Sequence, residues 1–484
     1  MKKKAFKKFI SLLLVFTFMF AFTGCGGDTS TQENESETET EAAEERIIAL
    51  EDGTRTFGYY SELAQLQQVP AMVTERDFFT HAELCNDSCA QICAQNTTKE
   101  EYDAYLALLK KEGFELFADS GADGINNNVY FSAFQKDGLT LYVTYHALQN
   151  MTGITAGMKE NLSPNMIYSD SYTQGISEDA KNIFMIPDMA LCQELGAIFK
   201  LKNGHFILID GGVKEDYDNF FNHLFELAPE GEKPVIDAWF LTHAHSDHIG
   251  VMEVLCDKKT YADRIICNGI YYNKPTIEWM TESNSGSYDP VDLLTFMLKD
   301  ENGNNTPLYR PLMGERFYFG DINIEIVAST DFVRNTDGST DFNDTSTQFI
   351  MNVDGQKVLI TGDGERGLQL CMIENFDREY FDLDIYQVPH HGYGTFRPFL
   401  KYVTIKTAVF PSRFLVESSY DEGATHYLME TASEYYYLGN DNGTLQMTFP
   451  YKTGDMEILG NDFNFYRPFD SFGNDFTHGL YIEG

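Results

Sequence analysis

Basic residues are scarce in this sequence. Lysine and arginine number 35 against 74 aspartates and glutamates, for a formal charge of −39. A surface this acidic repels phosphate backbones, which argues against long nucleic acid as a partner. Two catalytic signatures are missing as well. There is no Gly-x-Ser-x-Gly and no Walker loop. Serine hydrolases and P-loop enzymes are thereby excluded. Histidine is rare too, at 11 of 484 residues, so a cluster of histidines carries weight.

Such a cluster stands at Thr242-His243-Ala244-His245-Ser246-Asp247-His248-Ile249-Gly250, three imidazoles and a carboxylate within six residues. Val235 to Leu241 before it is mostly apolar and about a strand long. Ile249 to Leu255 after it can continue as a buried helix. The pattern therefore puts the ligand types on a strand-to-helix turn, where a rigid element ends and side chains converge. Imidazole and carboxylate are natural ligands of zinc and similar divalent ions. His243 and His245 can reach one ion, and Asp247 and His248 a second.

This pattern resembles the signature of the metallo-β-lactamase superfamily. His205 to Ile209 followed by Asp210-Gly211-Gly212 looks like the strand and turn that open that fold. Val358 to Asp363 looks like the strand ending in the metal-bridging Asp, and Val388-Pro389-His390-His391-Gly392 like the last ligand motif. Within the superfamily, Thr361-Gly362-Asp363 followed by His390-His391-Gly392 is similar to the hydrolase domain of competence proteins of the ComEC/Rec2 type. The resemblance covers Ile183 to the C-terminus. It implies an α/β fold, a metallo-β-lactamase-like αβ/βα sandwich, with His243, His245, Asp247, His248, Asp363 and His390 as metal ligands. It implies one or two divalent ions, with zinc expected and manganese the alternative.

Beside the ligands, Asp247 and His391 are the expected catalytic residues and His426, in Thr425-His426-Tyr427, a substrate contact. Which of the adjacent His390 and His391 is the ligand stays open, and His391 or His426 can instead fill the position left on the first ion. Asp210 is expected to brace the histidine turn by accepting hydrogen bonds. One departure matters: no histidine occurs between His248 and His390, where many members of the superfamily place a third one for the first ion. The expected chemistry is hydrolysis by water whose pKa an ion lowers to about 7. The subfamily resemblance points to a phosphoesterase, with a phosphodiester favoured, and the charge points to a small substrate. The rival readings are a non-catalytic binding lipoprotein that keeps the fold and a lactonase- or β-lactamase-like carbonyl hydrolase.

The N-terminal region carries different signals. Lys2, Lys3, Lys4, Lys7 and Lys8 form a basic start, and Phe9 to Phe22 is apolar but for Ser11 and Thr17. That run is short for a membrane span and leads to Phe22-Thr23-Gly24-Cys25. It resembles a bacterial lipoprotein signal over residues 1–24, with Cys25 lipidated and the chain anchored to the membrane outside the cytoplasm. Residues 25–45 form an acidic tether, with eight acids and no lysine or arginine in 28–45.

Residues 46–180 read as a small α+β domain and residues 181–484 as the hydrolase domain. In the small domain, Thr98-Lys99-Glu100-Glu101 is a capping box opening a helix that Gly113 stops. Val129 to Phe134 and Leu139 to Tyr145 form a hairpin across Asp137-Gly138. Cys85, Cys89 and Cys93 recur every four residues, as on one face of a helix, and are expected as buried apolar residues. Gly153 to Gln174, rich in Ser, Thr, Asn and Gly, reads as the linker.

Overall fold

The computed structural model describes residues 47–49, 55–57, 66–74, 80–86, 89–121, 128–166, 178–190, 193–274, 290–329, 342–413, 421, 423–438 and 443–460. The leader, Cys25, the acidic tether and Cys192 lie outside these residues. Among the described residues no helix is long and apolar enough to cross a membrane.

Two sheets packed face to face form the centre. The first runs, edge to edge, Leu308–Tyr309, Ile270–Tyr271, Val235–Phe240, Phe206–Asp210, Gly196–Lys200, Ile183–Ile186, Leu445–Thr448 and Glu457–Ile458. The second runs Arg316–Phe319, Ile322–Ala328, Gln348–Val353, Gln356–Ile360, Asp382–Gln387, Thr404–Phe410 and Glu434–Tyr437. Side chains of a strand alternate between faces. Ile207, Ile209, Ala238 and Phe240 accordingly meet Ile324, Phe349, Ile360 and Ile385 between the sheets. Leu208 and Trp239 point outward, beneath the helices Tyr217–Leu227 and Ser246–Lys258. The helices Arg366–Asn375, Arg397–Tyr402 and Ala424–Thr431 cover the other outer face. This is the expected αβ/βα sandwich, with a small α+β unit before it.

In that unit the capping box is present. The Thr98 hydroxyl accepts from the Glu101 amide, and Glu101 accepts from the Thr98 amide, at the start of Lys99–Lys111. The hairpin pairs Val129–Lys136 with Leu139–His146, and Asp137 and Gly138 turn in the left-handed region. Two sequence expectations are corrected here. Cys89 and Cys93 lie buried on the strand Cys89–Gln95, and Cys85 falls within the strand Thr80–Asn86, not on a helix. Spacing of four is one face of a helix but also one face of a strand, so it cannot separate the two. Likewise Gly153 to Met158 is not linker: Met151–Met158 is an inner strand, paired with Cys89–Gln95 on one side and Leu139–His146 on the other. Partners on both sides overrode a weak local preference.

The small unit docks on the sandwich through buried apolar side chains, Phe131, Ala133 and Tyr142 among them, and through polar contacts. His146 Nδ1 lies 2.8 Å from Asn375 Oδ1 of the helix Arg366–Asn375, and Arg310 donates twice to Glu160 Oε1 at 3.0 and 2.7 Å. Burial pushes the His146 imidazole down to about 4, against its bond to Asn375. Below the unfolded value of about 6.5 the unfolded chain therefore binds the extra proton, and stability falls with pH until about 4. From about pH 7 to about pH 5 this contributes a loss of roughly 2 kcal/mol. Urea denaturation of wild type and His146→Gln at both pH values measures it. An equal pH slope in the two proteins rules the assignment out.

Candidate metal centre

Each functional segment follows the end of a buried strand. Val235–Phe240 is an inner parallel strand, and its residues from Ile236 on are buried, as the apolar run requires. It ends before Thr242-His243, and the helix Ser246–Lys258 starts after His245. Gln356–Ile360 delivers Thr361-Gly362-Asp363 to the same edge. Gly362 has φ +53, and a Cβ there would lie 2.6 Å from Thr242 Cβ. Only glycine lets the turn bearing Asp363 close on the histidine turn. On the helix, a Cβ at Gly250 would lie 2.3 Å from the Lys214 amide nitrogen, so glycine is also what lets the helix seat against the turn after Asp210. Asp382–Gln387 brings Pro389-His390-His391-Gly392 to the edge, with His390 (φ 49) and His391 (φ 57) both left-handed. Two such non-glycine residues in succession store strain of the order of 1–2 kcal/mol each.

Asp210 ties the turn together. Its Oδ1 accepts from the Thr242 amide at 2.8 Å, and its Oδ2 from the Thr242 hydroxyl at 2.7 Å and from His248 Nδ1 at 2.8 Å. Thr347 N donates to Thr242 O, His390 N to Gly362 O, and Asp363 N to the Ser346 hydroxyl. These bonds stitch five segments distant in sequence into one wall.

The side chains fall into two groups that share Asp363. One is His243, His245 and Asp363; the other is Asp247, His248, Asp363 and His391; in each the ligand atoms lie within 4.8 Å of one another. His243 Nε2 is 2.8 Å from His245 Nδ1. His248 Nε2 is 3.2 Å from Asp363 Oδ1, and His391 Nε2 is 3.3 Å from both Asp363 Oδ2 and Asp247 Oδ2. Asp363 is 1 % exposed. Yet His248 Nε2, Asp363 Oδ1 and His391 Nε2 make no well-formed hydrogen bond, although buried polar atoms are normally satisfied. The Nδ1 atoms explain their direction: that of His248 donates to Asp210 and that of His391 to the Pro411 carbonyl at 2.9 Å, which turns both Nε2 atoms inward. The orphaned atoms and the imidazole–carboxylate set fit a divalent cation.

Protonation agrees with that fit. Burial holds His243 well below the ordinary histidine value, and His245 below it, so both rings stay neutral and able to bind an ion. Burial opposes charge on His391, but Asp363 and Asp247 outweigh it and push the ring up to about 9. Burial would raise Asp363; His248, His391 and His390 outweigh it and hold the carboxyl well below its usual range. An arriving divalent ion displaces protons from such a set.

The structure separates the adjacent histidines, between which the sequence leaves the choice open. His391, expected to be catalytic, lies with Asp247, His248 and Asp363. His390, expected to be a ligand, turns Nδ1 to Glu365 Oε1 at 2.8 Å, and its Nε2 is 3.9 Å from Asp363 Oδ2. His426 lies on the helix Ala424–Thr431 with its side chain exposed; its neighbour Thr425 bonds the Gly392 carbonyl. Sequence reasoning missed Glu365, which also accepts from Asn343, and Phe342, whose ring centroid is 5.0 Å from that of His245. Glu365 stands two residues after Asp363, and that spacing was the available signal.

Residues 198–393 match the family model described as Metallo-beta-lactamase superfamily, and that stretch is a domain of this superfamily. No curated protein matches the chain. Among solved structures, a Cronobacter sakazakii metallo-beta-lactamase with a HARLDQ motif is similar at 12 % identity, covering 42 % of this chain and 76 % of its own, with a TM-score of 0.26. A diphosphatase from the PhnP family shows 13 % identity, 53 % and 85 % coverage, and a TM-score of 0.29. Zn(2+)-bound PqqB from Methylobacterium extorquens shows 10 % identity, 43 % and 71 % coverage, and a TM-score of 0.28.

Proposed function

We propose that this chain, which carries a metallo-beta-lactamase superfamily domain, is a metal-dependent hydrolase acting on a small phosphoester outside the cytoplasm. The observation that carries the reading is the pair of ligand groups joined by the buried Asp363, with three inward-facing atoms that make no well-formed hydrogen bond. A divalent ion bound there lowers the pKa of water and neutralises charge developing on the substrate. The chain's own residues do the rest. His243, His245, Asp247, His248, Asp363 and His391 would hold the ions, and Asp210 fixes the histidine turn. Asp247, 19 % exposed in its side chain, faces outward enough to orient a water. The Thr-Gly-Asp and His-His-Gly motifs support a phosphodiester substrate, and the charge of −39 supports a small one over long nucleic acid.

Metal analysis of the purified protein tests this, together with hydrolysis of generic phosphodiester, phosphomonoester and ester substrates before and after chelation. Activity should fall at least ~100-fold on chelation and return with zinc or manganese. Full activity with no metal detected ends the reading. A chain that holds metal but hydrolyses nothing points to a binding lipoprotein instead.

The location rests on the leader. Cys25 should take up labelled fatty acid, and Cys25→Ser should abolish that labelling. Wild-type protein that never incorporates the label disposes of the lipid anchor.

A further inference from the structure

The two ligand groups differ in four respects. Among the described residues, His243, His245 and Asp363 offer three ligands, whereas Asp247, His248, Asp363 and His391 offer four. The smaller group has one carboxylate, which it shares; the larger has that one and Asp247. In the larger group both rings are anchored behind: His248 Nδ1 on the buried Asp210 at 2.8 Å, His391 Nδ1 on the Pro411 carbonyl at 2.9 Å. In the smaller group His243 Nδ1 has only hydroxyls, Thr242 at 3.2 Å and Ser346 at 3.3 Å, and His245 Nδ1 itself faces His243. Finally, His243 is buried but His245 is half-buried, whereas both rings of the larger group are buried.

Each difference acts in the same direction. A fourth ligand and a second negative charge hold a dication more tightly. A ring locked from behind loses less freedom when it binds, and removing such outer partners typically costs 10–100-fold in metal affinity. A neutral, partly solvated ligand pair with one shared carboxylate leaves positions for water or substrate.

We propose that the ion on His243, His245 and Asp363 is exchangeable while the ion on Asp247, His248, Asp363 and His391 is resident. This rests on the hydrolase reading and deepens it: the chain keeps one ion while the other comes and goes with the free divalent ion around the protein. The sequence bears on it as well, since no histidine lies between His248 and His390. Where a third imidazole could stand near the smaller group, the structure places Phe342, 4 % exposed, its ring centroid 5.0 Å from His245 and 6.1 Å from His243.

The test counts metal, not activity. Zinc-loaded full-length protein is dialysed against graded free zinc set by a chelator, and zinc per chain is measured by elemental analysis. Wild type should fall from two ions to one, hold a plateau over at least ~100-fold in free zinc, and only then fall to none. His245→Ala should start on the plateau and leave its far edge unmoved. Phe342→His, which adds an imidazole beside the smaller group, should move the first loss at least ~10-fold toward lower free zinc. Two ions lost in one step overturn the proposal, as does a plateau edge that His245→Ala shifts as much as the first loss. His245→Ala alone decides the matter if Phe342→His fails to fold. Protein that takes up no zinc at all overturns the hydrolase reading and this inference together; single-step loss overturns the inference alone.

Discussion

Asp363→Asn is expected to strip the centre of both ions and to lower kcat/KM for a generic phosphodiester by at least ~10³-fold. No other residue of the described structure belongs to both ligand groups. An amide keeps the shape but carries no charge. It therefore loses the pull that now charges His391 and His248, and it binds a dication poorly. The fold should persist, because Asp363 is held by its turn: its amide donates to Ser346, and Gly362 packs on Thr242. Elemental analysis and near-UV circular dichroism measure the two effects. Retention of two zinc ions by folded Asp363→Asn refutes the shared-carboxylate arrangement.

The second large effect separates neighbouring histidines. His391→Ala should lose the tightly held ion and most activity, because it removes one ligand of the four and leaves Asp247 and Asp363 facing each other with less compensating charge. His390→Ala should keep the ions, because its ring is engaged by Glu365 and not grouped with Asp247, His248 and Asp363. The sequence favours His390 as the ligand without settling between the two. Zinc per chain for both variants decides: loss from His390→Ala with retention in His391→Ala makes His390 the ligand.

The choice between His390 and His391 marks where the sequence stops being informative. The motif Thr242 to Gly250 was legible because its ligand types are contiguous and rest on one strand-to-helix turn, so spacing alone implies convergence. Asp363 was legible because an apolar strand ends on it, and Asp210 because a strand and an Asp-Gly turn precede the motif. The sandwich itself followed from apolar strands alternating with helix signals, since each must bury its apolar face on another layer.

Which of two adjacent histidines enters the centre is a different kind of fact. It depends on two successive left-handed backbones, on a carboxylate arriving from the turn after Asp363, and on a carbonyl arriving from Pro411. None of these is local, and a ring's direction is set by whichever distant partner takes its other nitrogen. The strand Cys89–Gln95 makes the same point at the level of the backbone, because spacing of four serves a helix face and a strand face alike, and only its hydrogen-bonded neighbours chose between them. By itself, then, the sequence determined the pool of candidate ligands, the layered architecture and the order of the motifs, all of which are written in residue type and period. The tertiary structure alone decided the grouping of those ligands into a four-residue and a three-residue set about Asp363, because grouping is a matter of distances between segments far apart along the chain.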